Sequence, residues 1–227
     1  KFGAPRCCKE TWTALEDKFM NKLLTAHPIV PVVVIERIED AVPLAEAMVA
    51  GGLPVLEVTL RTDAAIPGIK QIIKHVPEAI VGSGTVNNAS QFSVSEEIGC
   101  QFIVSPGSTD ELLDAARASS TPFLPGVSSA SEVMRGLDYG FDCFKFFPAE
   151  AVGGTALLKS FQGPFSNVRF CATGGIGLHN VSDYLALNNV LSVGGSWITA
   201  TDLVREKRWQ EIELLAREAV ATCKSSS

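Results

Sequence analysis

The sequence predicts an α/β fold: one (β/α)8 TIM barrel with an N-terminal helix, a single domain over 1–227 in which 1–27 is a helical extension. Three observations carry this expectation. Residues 29–35 read IVPVVVI, the pattern of a strand buried on both faces in a parallel sheet. Short apolar strands alternate with helical stretches at intervals of about 20–25 residues, close to one βα unit. Polar residues stand at the C-terminal ends of several strands rather than at one Gly-rich turn, which favours a closed barrel over an open doubly wound sheet.

The elements follow in order. Residues 10–25 read as an amphipathic helix, with Trp12, Leu15, Phe19 and Leu23 at spacings of three and four. Eight strands centre near Val32, Leu56, Ile80, Phe102, Leu124, Cys143, Phe170 and Ser192. Helices are predicted over 40–50, 64–75, 91–98, 110–118, 131–137, 155–161, 180–186 and 209–221. Gly51 and Gly99 follow two of them, as C-terminal stops do. No linker or low-complexity tract divides the chain, and Ser225–Ser227 read as a frayed tail.

Composition narrows the function classes. A chain of 227 residues, 46% hydrophobic and 19% charged, can bury a large core without staples. The net charge is -6, and no basic stretch exists to neutralise several phosphates, so nucleic acid is not an expected partner. No apolar run is long enough to span a bilayer, and the N-terminal residues lack the apolar core of an export signal. The expectation is a cytoplasmic protein in a reducing compartment, with Cys143 and Cys171 as buried free thiols. The three histidines, His27, His75 and His179, have no ligand spacing, so no metal is expected.

The most informative segment is 141–148, FDCFKFFP. Lys145 stands alone in an apolar strand, and Cys143, Lys145 and Phe147 share a face by alternation. Poor hydration disfavours an ammonium there, and a neutral amine can attack a ketone to form a Schiff base. A lysine paired with a neighbouring carboxylate is the alternative reading. In 55–61, VLEVTLR, Glu57, Thr59 and Arg61 fall on one face by period two. Three polar groups there need partners. Facing Lys145 across a barrel mouth, Glu57 can move protons and Arg61 can grip a carboxylate; a structural ion pair is again the alternative. The glycine pairs Gly174–Gly175 and Gly194–Gly195, the latter followed by Ser196, come after the seventh and eighth strands, where barrels often hold phosphate.

The strings LEVTLRT (56–62), VGSGTV (81–86), FIVSPG (102–107), FLPGVSS (123–129), FKFFPAE (144–150), GPFSNVRFCATGG (163–175) and VGGSW (193–197) closely resemble the bacterial 2-keto-3-deoxy-6-phosphogluconate (KDPG) aldolase family. The resemblance runs from about residue 29 to the final helix. It implies a Schiff-base lyase that cleaves KDPG to pyruvate and glyceraldehyde 3-phosphate without metal or cofactor. A homotrimer and a second activity on 4-hydroxy-2-oxoglutarate are implied as well. Residue by residue, Lys145 matches the Schiff-base lysine and Glu57 the proton-transfer glutamate. Arg61 and Thr85 match groups around the pyruvate carboxylate, while Pro106, Phe147 and Thr173 match the pocket around the covalent centre. Gly174, Gly175, Gly194, Gly195 and Ser196 match the phosphate site.

Ala172, Ser83 and Ser129 depart from the family pattern, where Pro, Ala and Thr are usual; Ala172 is expected to loosen the loop after the seventh strand. An aldolase for the 6-phosphogalactonate epimer and a non-catalytic sugar-phosphate-binding trimer remain alternatives at this point.

Overall fold

The computed structural model describes residues 13–224. Its strands are β1 (Ile29–Val33), β2 (Val55–Thr59), β3 (Ile80–Gly84), β4 (Phe102–Val104), β5 (Phe123–Leu124), β6 (Gly126–Val127), β7 (Cys143–Phe146), β8 (Arg169–Thr173) and β9 (Val190–Gly195). All neighbours pair parallel, in the order β5-β4-β3-β2-β1-β9-β8-β7-β6. The ninth segment is a consequence of Pro125. Proline has no N–H for the ladder, so the fifth barrel strand splits into β5 and β6 around it. The two ends of the sheet therefore meet at one residue. The Lys145 N–H donates to Pro125 O at 2.9 Å and the Gly126 N–H to Ser105 Oγ at 3.2 Å. The eight-stranded barrel is closed through that residue.

The helices are α1 (Thr13–Ala26), α2 (Ala41–Ala50), α3 (Ala65–His75), α4 (Ala89–Glu97), α5 (Asp110–Arg117), α6 (Ala130–Asp138), α7 (Gly154–Phe161), α8 (Val181–Leu185), α9 (Thr201–Arg205) and α10 (Trp209–Lys224). The expected helices are all there to within a few residues, and α9 is an addition. Three of them start where a side chain accepts an otherwise unpaired N–H: Asn88 from Gln91, Thr109 from Leu112 and Ser129 from Glu132. Gly99 takes the left-handed stop (φ 87). At the end of α2 that role falls to Gly52 (φ 90), while Gly51 stays right-handed.

Strand alternation builds two cores. Val33, Leu56, Val58, Val81, Ile103, Phe144, Phe146 and Phe170 face the helices in the larger one. Val30, Val55, Phe102, Val104, Leu124, Cys143 and Cys171 point to the barrel interior, and Met20, Leu23 and Leu24 of α1 join them. So α1 caps the lower end of the barrel, fastened by Asn21 Nδ2 to Asp142 Oδ1 at 3.1 Å. Its buried stripe differs from the expected one. Leu23 belongs to it, but Phe19 is 38% exposed and Met20 and Leu24 take its place. Residues 10–12, including Trp12, and the side chain of Leu15 lie outside the described residues, as do Ser225–Ser227.

Two of the departures from the family pattern, Ala172 and Ser83, face the helices, and Ser129 caps α6. Ala172 lies opposite Phe146 and Val193 and is fully buried, and the register of β8 against β9 shifts between Phe170 and Cys171. From Cys171 to Thr173 the pairing with β9 is in register, up to the residue where the loop begins. Ser83 pairs with Val58 and Ile103, on the helix side. Cys100, Cys143 and Cys171 are buried, and none of them is in a disulfide.

Candidate active site

Cys143 is on the interior face of β7, so Lys145, two residues on, shares it, in register with Cys171 of β8 and Gly126 of β6. Glu57 is likewise two residues beyond the interior Val55 on β2. The two side chains meet: Lys145 Nζ lies 2.7 Å from Glu57 Oε1, and the residues are only 5% and 2% exposed. Gly84 makes this possible, since a Cβ there would stand 2.6 Å from Glu57 Cγ. The Phe147 ring centroid is 5.5 Å from Nζ, close enough for its negative face to stabilise a cation.

The alternation expected of Glu57, Thr59 and Arg61 holds for the first two and then stops. Thr59 is buried, and its hydroxyl donates to Val33 O at 3.0 Å, which makes it a structural contact between strands. β2 ends there. The Arg61 N–H turns back to Thr59 O at 2.8 Å, and the side chain is exposed at the rim. Its Nε donates to Thr85 Oγ1 at 3.1 Å. Thr85 holds φ 60, a region that β-branched residues rarely adopt. Arg61 and Thr85 thus form one unit, on the strand ends next to the Lys145–Glu57 pair.

Pro106 is half-buried just after β4 and packs its backbone where a side chain on Gly126 would fall. Thr173 ends β8, and its buried hydroxyl has no oxygen or nitrogen partner among the described residues. It faces Gly194, where any side chain would collide with it. Gly174 and Gly175 follow with φ 106 and 76, conformations that glycine adopts freely. Their carbonyls accept from Glu150 N–H (3.1 Å) and Asn180 Nδ2 (3.2 Å). Gly194 and Gly195 end β9, and Ser196 is exposed at the start of a 3-10 turn, Trp197–Thr199. Because Thr173 pairs with Gly194, the two glycine segments stand side by side.

Sequence reasoning missed three groups. Tyr184 donates its hydroxyl to the Glu150 carboxylate, and Glu150, the last residue of FKFFPAE, had no assigned role. Buried Asp40 receives Arg37 Nε at 2.7 Å, and exposed Arg205 clasps Glu36 with two bonds, 2.8 and 2.9 Å. Each links loops distant in sequence or joins neighbours through a turn, so period-two or helical spacing gives no sign of it.

A buried lysine bonded to a carboxylate thus lies beneath the loops at the C-terminal end of an eight-stranded barrel, the place where barrel enzymes carry their active sites. Comparison with known proteins agrees. The family model "KDPG and KHG aldolase" matches residues 20–215. The chain is 54% identical to the KHG/KDPG aldolase of Escherichia coli strain K12 over 204 residues, 90% of this chain and 96% of that one. Among solved structures it resembles the KDPG aldolase of Legionella pneumophila with pyruvate captured at low pH as a covalent carbinolamine intermediate. That likeness has TM-score 0.86 and 46% identity, covering 87% of this chain and 96% of that one. It also resembles the KDPG aldolase of Zymomonas mobilis ZM4 with 3-phosphoglycerate (TM-score 0.82, 50% identity, 88% and 94% covered). The chain belongs to the KDPG and KHG aldolase family.

Proposed function

We propose that this chain is a Schiff-base aldolase that cleaves KDPG to pyruvate and glyceraldehyde 3-phosphate and also accepts 4-hydroxy-2-oxoglutarate. The carrying observation is the 2.7 Å contact between Lys145 Nζ and Glu57 Oε1, buried yet placed at the loop end of the barrel. In the first step Glu57 accepts a proton from Lys145 and leaves a neutral amine. The amine attacks the C2 ketone, and protonated Glu57 gives its proton to the carbinolamine hydroxyl, which leaves as water; this forms the iminium and returns Glu57 to the carboxylate. Glu57 then accepts the C4 hydroxyl proton, directly or through a water. The C3–C4 bond breaks, its electron pair flows into the iminium, and the aldehyde departs. The enamine left on Lys145 takes a proton at carbon, and hydrolysis releases pyruvate and the amine.

Arg61 with Thr85 is suited to the carboxylate of the substrate, because a guanidinium offers several donors in a plane. Thr173 and Phe147 flank the covalent centre, and Pro106 closes the wall beyond. Gly174, Gly175, Gly194, Gly195 and Ser196 form the anion-binding end; φ values of 106 and 76 at the first pair suit a backbone turned toward an anion. The carbinolamine in the Legionella relative and the 3-phosphoglycerate in the Zymomonas one support this arrangement. The gluconate reading is preferred to the galactonate epimer because relatives near half identity are KDPG aldolases. No helix of the described residues is long and apolar enough to cross a membrane. A cytoplasmic homotrimer completes the reading, and sedimentation equilibrium tests the assembly.

The deciding experiment is borohydride reduction in the presence of pyruvate, followed by peptide mass mapping. The adduct is expected on Lys145 and is expected to vanish in Lys145→Arg. An adduct on Lys159 or any other lysine overturns the mechanism.

A further inference from the structure

Glu150 is exposed at the surface, yet it holds three parts of the upper barrel together. Its N–H donates to Gly174 O at 3.1 Å, directly after the Ala149 N–H to Thr173 O bond at 2.8 Å. Its side chain runs beneath the next glycine: a Cβ on Gly175 would stand 2.7 Å from both Cβ and Cγ of Glu150. Its carboxylate ends on the hydroxyl of Tyr184, a fully buried residue of α8. A second glycine leaves room for this bond, because a Cβ on Gly154 would lie 3.2 Å from both Glu150 Oε1 and the Tyr184 hydroxyl. Gly154 itself holds φ 56, so the loop before α7 takes a left-handed turn at the place where the pair meets.

A tyrosine hydroxyl in that core needs an acceptor, and a surface carboxylate ordinarily needs none. The bond therefore satisfies the buried Tyr184 and, in doing so, fixes a carboxylate that would otherwise turn to solvent. Burial, with the adjoining carboxylate second, raises the tyrosine's pKa far above its usual value, so the hydroxyl remains a donor throughout the working pH range. The turn that Glu150 supports has few other fastenings: Asn180 Oδ1 accepts the Gly177 N–H at 2.9 Å, and Asn180 Nδ2 reaches Gly175 O at 3.2 Å.

We infer that Glu150 and Tyr184 form a positioning pair that fixes the Gly174–Gly175 turn for the phosphate end of the substrate, and so set the preference for phosphorylated over unphosphorylated keto acids. This rests on the anion-binding reading of the two glycine segments. Neither side chain touches the reacting atoms, so the pair acts through the turn.

The test compares Tyr184→Phe, Glu150→Ala and Glu150→Gln, with Ser196→Ala as a control on the anion site. Steady-state constants are measured on KDPG and on 4-hydroxy-2-oxoglutarate, together with the rate of borohydride trapping of pyruvate. Loss of one positioning hydrogen bond is expected to raise KM for KDPG by roughly threefold to tenfold in Tyr184→Phe and Glu150→Ala. KM for hydroxy-oxoglutarate, kcat and the trapping rate should stay near wild type. Glu150→Gln retains an acceptor for the hydroxyl, and its KM for KDPG should stay within about twofold of wild type, well short of the loss of one hydrogen bond.

Equal losses on both substrates, or a fall in trapping, would make the pair a general prop of the fold and overturn the inference. If Ser196→Ala loses KDPG selectively while Tyr184→Phe and Glu150→Ala do not, the pair is excluded and the anion site stands. If none of the variants is selective, the anion-site reading falls and takes the inference with it.

Discussion

The hydrogen of Gly84 faces Glu57: a methyl group in its place would sit 2.6 Å from Cγ and closer still to the carboxylate. Gly84 ends β3 opposite Thr59, so its empty side is the recess that lets Glu57 reach Lys145. Gly84→Ala is expected to displace Glu57 while the strand ladder persists. Acid–base help is worth about 10²–10⁴-fold, and KDPG turnover should fall by an amount in that range. Stopped assays on folded protein check this. Wild-type turnover would show that Glu57 can work from another position.

Glu57→Gln separates charge from proton transfer. Glutamine keeps the shape and an acceptor for Nζ but cannot cycle a proton. If Glu57 is the base, exchange of pyruvate methyl protons with heavy water should slow about 10²–10⁴-fold, while borohydride trapping survives at a reduced rate. NMR follows the exchange. Wild-type exchange would exclude Glu57 as the base and turn attention to Thr173, whose hydroxyl is buried without an oxygen or nitrogen partner among the described residues. Loss of trapping and exchange together would mean that Glu57 only holds Lys145 by charge.

Ser129 caps α6, and the carboxylate of Glu132 binds back to the Ser128 N–H at 2.7 Å and to both serine hydroxyls at 2.9 and 3.0 Å. This reciprocal cap makes Ser129→Ala about 1 kcal/mol less stable by urea unfolding at neutral pH. The change also has a pH signature. Burial acts to raise the Glu132 pKa, but the bonds from Ser128 and Ser129 overcome it and hold the group below its ordinary 4.5. A carboxyl depressed in the folded state adds stability that is complete above its unfolded value and is lost as pH falls through the folded one. The gap between wild type and Ser129→Ala should therefore narrow below pH 4.5. A gap independent of pH would leave only the Ser129–backbone bond as its source.

Burial pushes the thiols of Cys100 and Cys171 up to about 11. Moving a thiol from 9 to 11 leaves roughly a hundredfold less thiolate at pH 8, and burial limits access further. Iodoacetamide at that pH should leave both unmodified in the folded protein and label them in urea, as peptide mass mapping would show. Rapid labelling of Cys171 in the native state would mean that the barrel interior beside Lys145 opens to solvent.

Much of this molecule was legible in its sequence, for reasons that differ by element. The Val/Ile run at 29–35 announced a strand covered on both faces, because only a parallel sheet removes both faces from water. Lys145 and Glu57 were legible because a charge inside an apolar strand contradicts its surroundings, and period two aims each of them inward. Arg61 followed that rule only until β2 ended at Thr59, a boundary that the apolar pattern does not mark. The stripe on α1 was misread at Phe19, since the barrel floor it covers is formed by residues far along the chain. Helix α9, Thr201–Arg205, spans little more than one turn, too short for a periodic signal. The bond between Glu150 and Tyr184 joins residues 34 positions apart across two loops, and no local pattern encodes it.

Among the described residues, α1 closes the lower end of the barrel with Met20, Leu23 and Leu24 and leaves the loop end as the way in. Everything that reaches Lys145 must arrive past the loops, and everything released must return the same way. Traffic through a single doorway imposes an order. In the proposed mechanism the fragment carrying the phosphate sits nearer the rim, and the keto-acid fragment stays tethered below it. The outer piece has to clear the doorway before water can come down to cut the tether, and in the synthetic direction the queue reverses, with the keto acid entering first.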